Sequence, residues 1–318
     1  MATTTPPTRP RSSARFPNPG DAGKVSRDKR TRMYVGDCRE WMAKLPKGAF
    51  DLVFADPPFN WKRDYDRNLT GHAWDDAQPE EDYLGFTYDW LDLAAERLAD
   101  HGALWVNIPD TWAAEIVVHM KRARKWHLVN WCVWHYRFGQ NTKSKFINSK
   151  VHALYFMKDP AHAERRWNPD AVAEVSDRRA IYGDPRTENK KDDWMEAGHR
   201  VPMDVWYGQY WGRVQGNNKE RRHKHDNQLP EVYLGRVIGA CTDPGDLVLD
   251  PFLGSGTTGT VARYMDRKFV GIEYSPANAA HAWDRMVTKG PYRTEALDNQ
   301  RGVSTAIHPK RAGLRDEA

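Results

Sequence analysis

The sequence predicts an α/β protein organised around a doubly wound, mostly parallel sheet. Apolar strand-like runs alternate with helical stretches over residues 33–157 and again over 225–290, the pattern of parallel strands joined by crossover helices. The run Phe50-Asp51-Leu52-Val53-Phe54-Ala55 is largely apolar and ends abruptly, as a strand buried on both faces does. Both stretches with unusual chemistry, residues 56–59 and 250–257, directly follow such runs. Open α/β sheets bind ligands beyond the carboxyl ends of their strands.

Met1 to Arg32 is rich in Thr, Pro, Ser and Arg and nearly devoid of large apolar residues, so residues 1–32 read as a disordered basic arm. The arm carries neither the apolar segment of a secretory signal nor the amphipathic pattern of a transit peptide. Strands are predicted at 33–36 and 50–55, with a short helix through Trp41 and Leu45 between them. A helix over about 81–99 places Tyr83, Trp90, Ala94 and Leu98 near one stripe. Residues 102–108 form the next strand, Asp110 caps a helix at 111–124, and strands follow at about 128–136 and 151–157. In the last part, the strand 247–250, a helix of about 257–266 and the strand 268–273 resume the alternation. Residues 291–318 read as a loose tail.

Between Lys158 and Lys224 the alternation stops. Arg165, Arg166, Arg178, Arg179, Lys190 and Lys191 are interleaved there with Trp167, Tyr182, Trp194, Trp206, Tyr207, Tyr210 and Trp211. So long an irregular insertion is usually functional. Its aromatics have two readings, packing into the core or stacking on bases, and packing is the commoner. The loop Asn60–Ala77, with Trp61, Lys62, Arg63, Asp64 and His72, is either a lid over the cleft or an ordinary surface loop.

The 318 residues allow one large α/β core, or a core with a small appended module. A net charge of +5 and a pI near 9.0 suit a polyanionic partner without requiring one. No apolar run is long enough to span a membrane. Cys38, Cys132 and Cys241 lack metal-ligand spacing and are odd in number, which points to reduced thiols in a cytoplasm and to no metal site.

The chemistry concentrates in two places. In Asp56-Pro57-Pro58-Phe59, consecutive prolines remove two backbone donors and stiffen the chain. A carboxylate, a carbonyl and a ring together suit a planar substrate bearing an exocyclic amino group. In Leu247-Val248-Leu249-Asp250-Pro251-Phe252-Leu253-Gly254-Ser255-Gly256-Thr257, two glycines allow positive φ and close approach, and the following helix directs N–H groups at the turn. The lysine of a phosphate loop is missing, and so is the third glycine of a dinucleotide fingerprint, so the anion in view is an amino-acid carboxylate. Glu273 ends the next strand, where an acid hydrogen-bonds a ribose diol.

The Asp56–Phe59 segment resembles the Asp-Pro-Pro-Tyr/Phe motif of S-adenosylmethionine-dependent amino-methyltransferases. With the loop and Glu273 in this order, residues 33–287 resemble a DNA amino-methyltransferase of the permuted, beta class, in which the catalytic motif precedes the cofactor loop. The resemblance implies a Rossmann-like, seven-stranded sheet with one antiparallel strand. It divides the chain into a catalytic half at 33–157, a target-recognition region at 158–224 and a cofactor-binding half at 225–290. It assigns Asp56, Pro57, Pro58 and Phe59 to catalysis. To S-adenosyl-L-methionine it assigns Asp37, Cys38 (through its backbone), Asp250, Phe252, Gly254, Ser255, Gly256, Thr257 and Glu273. The segment 225–231 is similar to the family's His-Pro-Thr-Gln-Lys-Pro stretch but departs from it at Asp226, Asn227 and Leu229, so Gln228 and Pro230 carry over.

The resemblance implies methylation of double-stranded DNA by base flipping, with Phe59 stacking on the base and the basic residues Lys143, Lys145, Arg221 and Arg222 on phosphate. Asp rather than Ser at position 56 implies adenine N6, with cytosine N4 the alternative. A fold that kept DNA binding but lost catalysis, and a nicotinamide-dependent dehydrogenase, are the readings of other classes. A prokaryotic or phage cytoplasm, a homodimer and a cognate restriction endonuclease are also compatible with the resemblance.

Overall fold

A computed structural model describes residues 23–62, 74–136, 139, 141–158, 165–189, 195–223, 225 and 227–298. Residues 1–22 and 299–318, Arg63, Asp64 and His72 of the candidate lid, and Lys190, Lys191 and Trp194 of the insertion lie outside the described residues. The chain begins with β1 (Lys24–Val25), β2 (Thr31–Val35), α1 (Cys38–Lys44), β3 (Phe50–Ala55), α2 (Glu80–Arg97), β4 (Leu98–Ile108), α3 (Asp110–Arg122), β5 (His127–His135) and β6 (Lys150–Met157). Short pieces follow: α4 (Pro169–Val172), β7 (Glu174–Val175), α5 (Asp177–Ala180), β8 (His199–Arg200) and β9 (Val205–Trp206). The last part holds α6 (Glu231–Cys241), β10 (Leu247–Asp250), α7 (Thr257–Tyr264), β11 (Lys268–Glu273), α8 (Pro276–Asp284) and α9 (Thr294–Asp298).

The main sheet has nine strands in the order β1-β2-β11-β10-β3-β4-β6-β5-β9. The seven from β2 to β5 are the expected sheet, and among them only β6 runs against its neighbours. Two-residue strands at the edges, β1 and β9, extend it. From β3 the chain moves outward to β4, and from β10 it moves outward the other way to β11. The order therefore reverses between β3 and β10, the switch point at which open sheets form their crevice. Every residue of β3 is buried, as is every residue of α6 packed against the sheet, so the strand carrying the catalytic motif is held on both faces.

Three boundaries differ from the sequence reading. Residues 24–32 are not part of a loose arm: β1 turns back onto β2, with Ser26 and Thr31 exchanging backbone and side-chain bonds, and Thr31 is buried against β11. The first residues of the tail are fixed too, since α9 buries Ala296 and Leu297 and the amides of Tyr292 and Arg293 donate to Glu231. Asp110 is the first residue of α3 rather than its cap, which is Pro109, and its carboxylate pairs with Lys150 at 2.8 Å. In the insertion, β9 joins the sheet, and Trp206 and Trp211 are buried in a cluster with Trp105, Trp134 and Tyr233. For these two tryptophans packing is the answer.

Candidate active site

Two cavities meet at the carboxyl ends of β3 and β10. The larger, about 170 Å³, runs from Gly36, Asp37 and Cys38 past Glu273 and Gly254 to Asp56 and Pro57. The smaller, about 30 Å³, lies on the far side of Asp56 and Phe59 and is walled by Asn107, Trp134, Tyr136, Val151, Arg213 and Asn227. Asp56 and Phe59 border both.

The catalytic segment is fixed by uncharged donors. Tyr83 on α2 donates to the Pro58 carbonyl at 2.8 Å, and the Trp112 indole N–H on α3 donates to the Phe59 carbonyl at 2.8 Å. The backbone after the motif is tied down as well, with the amides of Asn60 and Trp61 donating to the buried Asp76 carboxylate. The Phe59 ring is buried, edge-on to Trp61 at 5.1 Å between centroids.

Parallel pairing of β3 with β4 brings Asn107 beside Asp56. Its Nδ2 donates to Asp56 Oδ1 at 2.6 Å, and its Oδ1 accepts from the Tyr233 hydroxyl at 3.1 Å. The Tyr233 hydroxyl thus orients the amide so that its N–H faces the carboxylate. Sequence reasoning missed both residues. The available signal was a single Asn at the carboxyl end of the apolar strand β4.

Burial pushes the Asp56 carboxyl up to about 7; the Asn107 bond opposes this and the nearby Asp250 adds to it. Burial likewise pushes Asp250 up to about 7, against bonds from Thr258 and the Phe252 amide. Among the described residues no lysine or arginine pairs with Asp56. The two acids share one desolvated region without a cation to settle them.

The loop after β10 is braced differently. Gly254 and Gly256 have φ of +50° and +77°, as expected; at Gly256 an added Cβ would lie 3.0 Å from Ala282. Glu273 accepts from the Gly254 amide at 2.7 Å and from the Ser275 amide at 2.9 Å, so it holds the loop while lining the cavity. Arg285, wholly buried on the segment after α8, donates to the Ser255 carbonyl at 3.2 Å and to the Thr257 hydroxyl at 2.8 Å. Its other nitrogen pairs with Glu231 at 2.7 Å. Neither Arg285 nor Glu231 stood out in the sequence, because a charged residue inside an apolar stretch reads as a helix surface.

Of the residues assigned to the cofactor, Asp37, Cys38, Asp250, Phe252, Gly254, Ser255, Thr257 and Glu273 all line the larger cavity. Gly256 instead caps α7 behind the loop. Asp37 caps α1 and is gripped by Arg39; burial raises its carboxyl, but these bonds outweigh it and the net shift is downward. Burial drives the Cys38 thiol strongly upward, so the sulfur is inert and only its backbone suits a ligand role. His225 also lines this cavity.

Gln228 does not line the larger cavity. Its amide accepts from Arg222 N at 2.8 Å and donates to the Glu220 carbonyl at 2.9 Å, bracing the segment beside the smaller one. Arg221 and Arg222 are corrections as well. Arg221 donates to the His225 carbonyl, Arg222 to that of Lys219, and Arg222 lies over the Tyr292 ring. Both are half-buried and engaged within the protein, whereas Lys143 and Lys145 are exposed.

An amino-acid carboxylate at the glycine loop, a ribose at Glu273 and a base near Asp37 would span the larger cavity end to end. The lining therefore fits S-adenosyl-L-methionine, with its methyl end toward Asp56. Comparison with known proteins agrees with this geometry. A profile of the DNA methylase family, of the N6/N4 type, matches residues 50–282. The type II methyltransferase M.BamHI of Bacillus amyloliquefaciens is 30% identical over 76% of the chain, which spans only 54% of that relative's length. The DNA adenine methyltransferase YhdJ of Escherichia coli is 28% identical over 88% of the chain and 90% of its own length. Among solved structures, the PvuII cytosine-N4-specific DNA methyltransferase has a TM-score of 0.58 over 85% of the chain and 92% of its own, at 16% identity. A DNA modification methylase of Thermus thermophilus, complexed with S-adenosyl-L-methionine, has a TM-score of 0.53 over 81% and 95%, at 20% identity. At these identities the two structures speak for the fold alone.

Proposed function

The chain belongs to the N6/N4 DNA methylase family, and from that premise we propose that it methylates adenine N6 in double-stranded DNA. The observation that carries the choice of adenine is Asp56 at the seam of the two cavities, one oxygen held by Asn107. A carboxylate there accepts a hydrogen from an exocyclic amino group, as does the Pro57 carbonyl beside it. The relative YhdJ, a DNA adenine methyltransferase by name, supports the same choice.

Bound in the larger cavity, S-adenosyl-L-methionine supplies an electrophilic methyl group. The chain's part is positioning and electrostatics. Asp56 and the Pro57 carbonyl draw on the two N6 hydrogens, turning the nitrogen lone pair away from the ring, and Phe59 flanks the base. Asn107 and Tyr233 hold Asp56 in place. The proton released on transfer has Asp56 as its nearest acceptor.

A base inside a duplex cannot reach this seam, so it must be flipped. The smaller cavity, at about 30 Å³, has room for only a water or two, so its walls open when a purine enters. For sequence readout, the exposed residues Arg178, Tyr182 and Arg186 are the part of the insertion left free by the packing of Trp206 and Trp211.

The test is incubation of purified protein with methyl-labelled S-adenosyl-L-methionine and mixed-sequence duplex DNA, followed by nucleoside analysis. Label is expected in N6-methyladenine. Label only in N4-methylcytosine would overturn the choice of base, and label in RNA alone would overturn the substrate.

A further inference from the structure

We propose that Phe146 is the side chain that enters the base stack and holds the duplex open while the target base is flipped. The proposal rests on the reading of duplex DNA as substrate and adds the residue that prepares it. Phe146 is 96% exposed, the most exposed of the large apolar residues described. Its ring is left almost wholly to solvent, yet the residue stands between β5 and β6, directly over the candidate active site.

The placement follows from the sheet. Pairing of Ala55 with Val106, and of Asn107 with Ala153, puts Asp56 level with Ala153 of β6 and Cys132 of β5. The last pair before the connection, His135 with Lys150, lies three residues further along. At about 3.3 Å per residue and about 4.8 Å per strand, the connection starts roughly 10 Å above Asp56 and 10–15 Å to its side. That offset is close to the width of the major groove, about 12 Å. The roots are nearer still, because Tyr136 and Val151 wall the smaller cavity together with Asp56.

Its two arms are closed against each other at the base. A Cβ added at Gly139 would lie 2.1 Å from Ile147 Cγ2 and 3.0 Å from the Asn148 carbonyl, so that position has no space for a side chain. Further out, the Thr142 hydroxyl bonds Ser144 through both its amide and its hydroxyl, at 3.3 Å. The exposed Lys143 and Lys145 sit just before Phe146. Lysines on the phosphates fix the height and register of the loop. An aromatic ring is of a shape to slip between base steps, as apolar wedges in DNA-bending proteins do. Entering the gap left by a departing base, the ring would replace lost stacking and slow the base's return.

The decisive experiment removes the need for the wedge. The methylated motif is first read by sequencing DNA from a methylation-free host that expresses the protein. Two duplexes are then compared, one with the target adenine opposite thymine and one with it opposite an abasic site. Phe146→Ala should lose at least about ten-fold in kcat/KM on the paired duplex and stay near wild type on the abasic one, where unpairing is already done. With 2-aminopurine at the target, the fluorescence rise on binding should vanish only for the paired duplex, and Phe146→Trp should restore it. Equal loss on both duplexes, no loss on either, or a changed sedimentation coefficient (a ring used between protein copies) would overturn the wedge alone. A wild-type protein that methylates no DNA would sink the substrate reading, and the wedge with it.

Discussion

At the cofactor end of the cleft the backbone is tied down by ions: Arg285 binds Ser255 and Thr257 with Glu231 behind it, and Glu273 takes the amides of Gly254 and Ser275. At the Asp56 end the same task falls to neutral groups, the Tyr83 hydroxyl, the Trp112 indole, and the Asn107 amide oriented by Tyr233. The difference follows from what each end must do. A glycine loop has weak conformational preferences of its own, and buried ion pairs with well-satisfied hydrogen bonds fix it. A cation beside Asp56 would instead lower its basicity and compete for the carboxylate that must accept the amino hydrogens. The catalytic end is therefore built to position a charge without neutralising it.

Replacement of Asp56 breaks the comparison most directly. In Asp56→Asn, turnover should fall by at least about 10²–10³-fold, the usual cost of one electrostatic group in a transition state. The cofactor dissociation constant, measured calorimetrically, should change only a few-fold. The stability effect has the opposite sign. Asp56 is pushed up from 3.8 to about 7, so between these values the folded state keeps a proton that the unfolded chain has released. Folding is then penalised as pH rises through this window. At pH 8 the Asn variant should melt higher than wild type, by an amount that shrinks toward pH 4. A lower melting temperature at pH 8 would mean that the carboxylate is stabilised by something other than Asn107.

The second prediction attacks the ionic end. Arg285→Met leaves Glu231 buried without its partner, which costs about 3–5 kcal/mol in urea unfolding. It should also raise the cofactor dissociation constant by about ten-fold, as the loop loses its donors. Stability alone does not distinguish a positioning role from a structural one, so the double variant Arg285→Met/Glu231→Gln is decisive. Removing both charges should recover much of the stability but not the affinity. Recovery of both would make Arg285 a folding residue only.

How much of this was legible beforehand differs between the two ends. The loop 250–257 and the motif 56–59 were visible because each is a local deviation, glycines or prolines at the end of an apolar run, and eight of the ten residues assigned to the cofactor line one cavity. The braces were not visible. Asn107 lies 51 residues from Asp56, Tyr233 126 residues from Asn107, and Glu231 54 residues from Arg285; only strand order and helix packing bring them together. Gln228 and the basic pair Arg221–Arg222 were misread for a related reason. A polar residue near a motif reads as a ligand, whereas here backbone carbonyls and amides of a loop beside the cavity take these groups.

A smaller effect tests the neutral end. With Asp56 near 7, kcat/KM should rise about ten-fold per pH unit below that value and level off above it, as for an essential base in the free enzyme. Asn107 opposes the upward shift, so Asn107→Leu should move the midpoint to higher pH while leaving the plateau within reach of wild type. A midpoint that moves down would assign the titration to another group, Asp250 being the first candidate.

The smallest expected effect concerns DNA affinity. Arg221 spends its guanidinium on the carbonyls of His225 and Gly216, while Lys143 and Lys145 are exposed beside Phe146. Removing one cation from a phosphate should reduce the slope of log affinity against log salt by about one. Lys143→Gln and Lys145→Gln should each flatten the slope by up to that amount, on every DNA sequence alike. Arg221→Gln should leave the slope unchanged and lower the melting temperature modestly, because it removes an internal brace rather than a phosphate partner. If it flattens the slope as much as Lys145→Gln does, the guanidinium leaves its carbonyls for phosphate on binding. The segment beside the smaller cavity would then be remade by DNA, and the neutral end would be rigid only until substrate arrives.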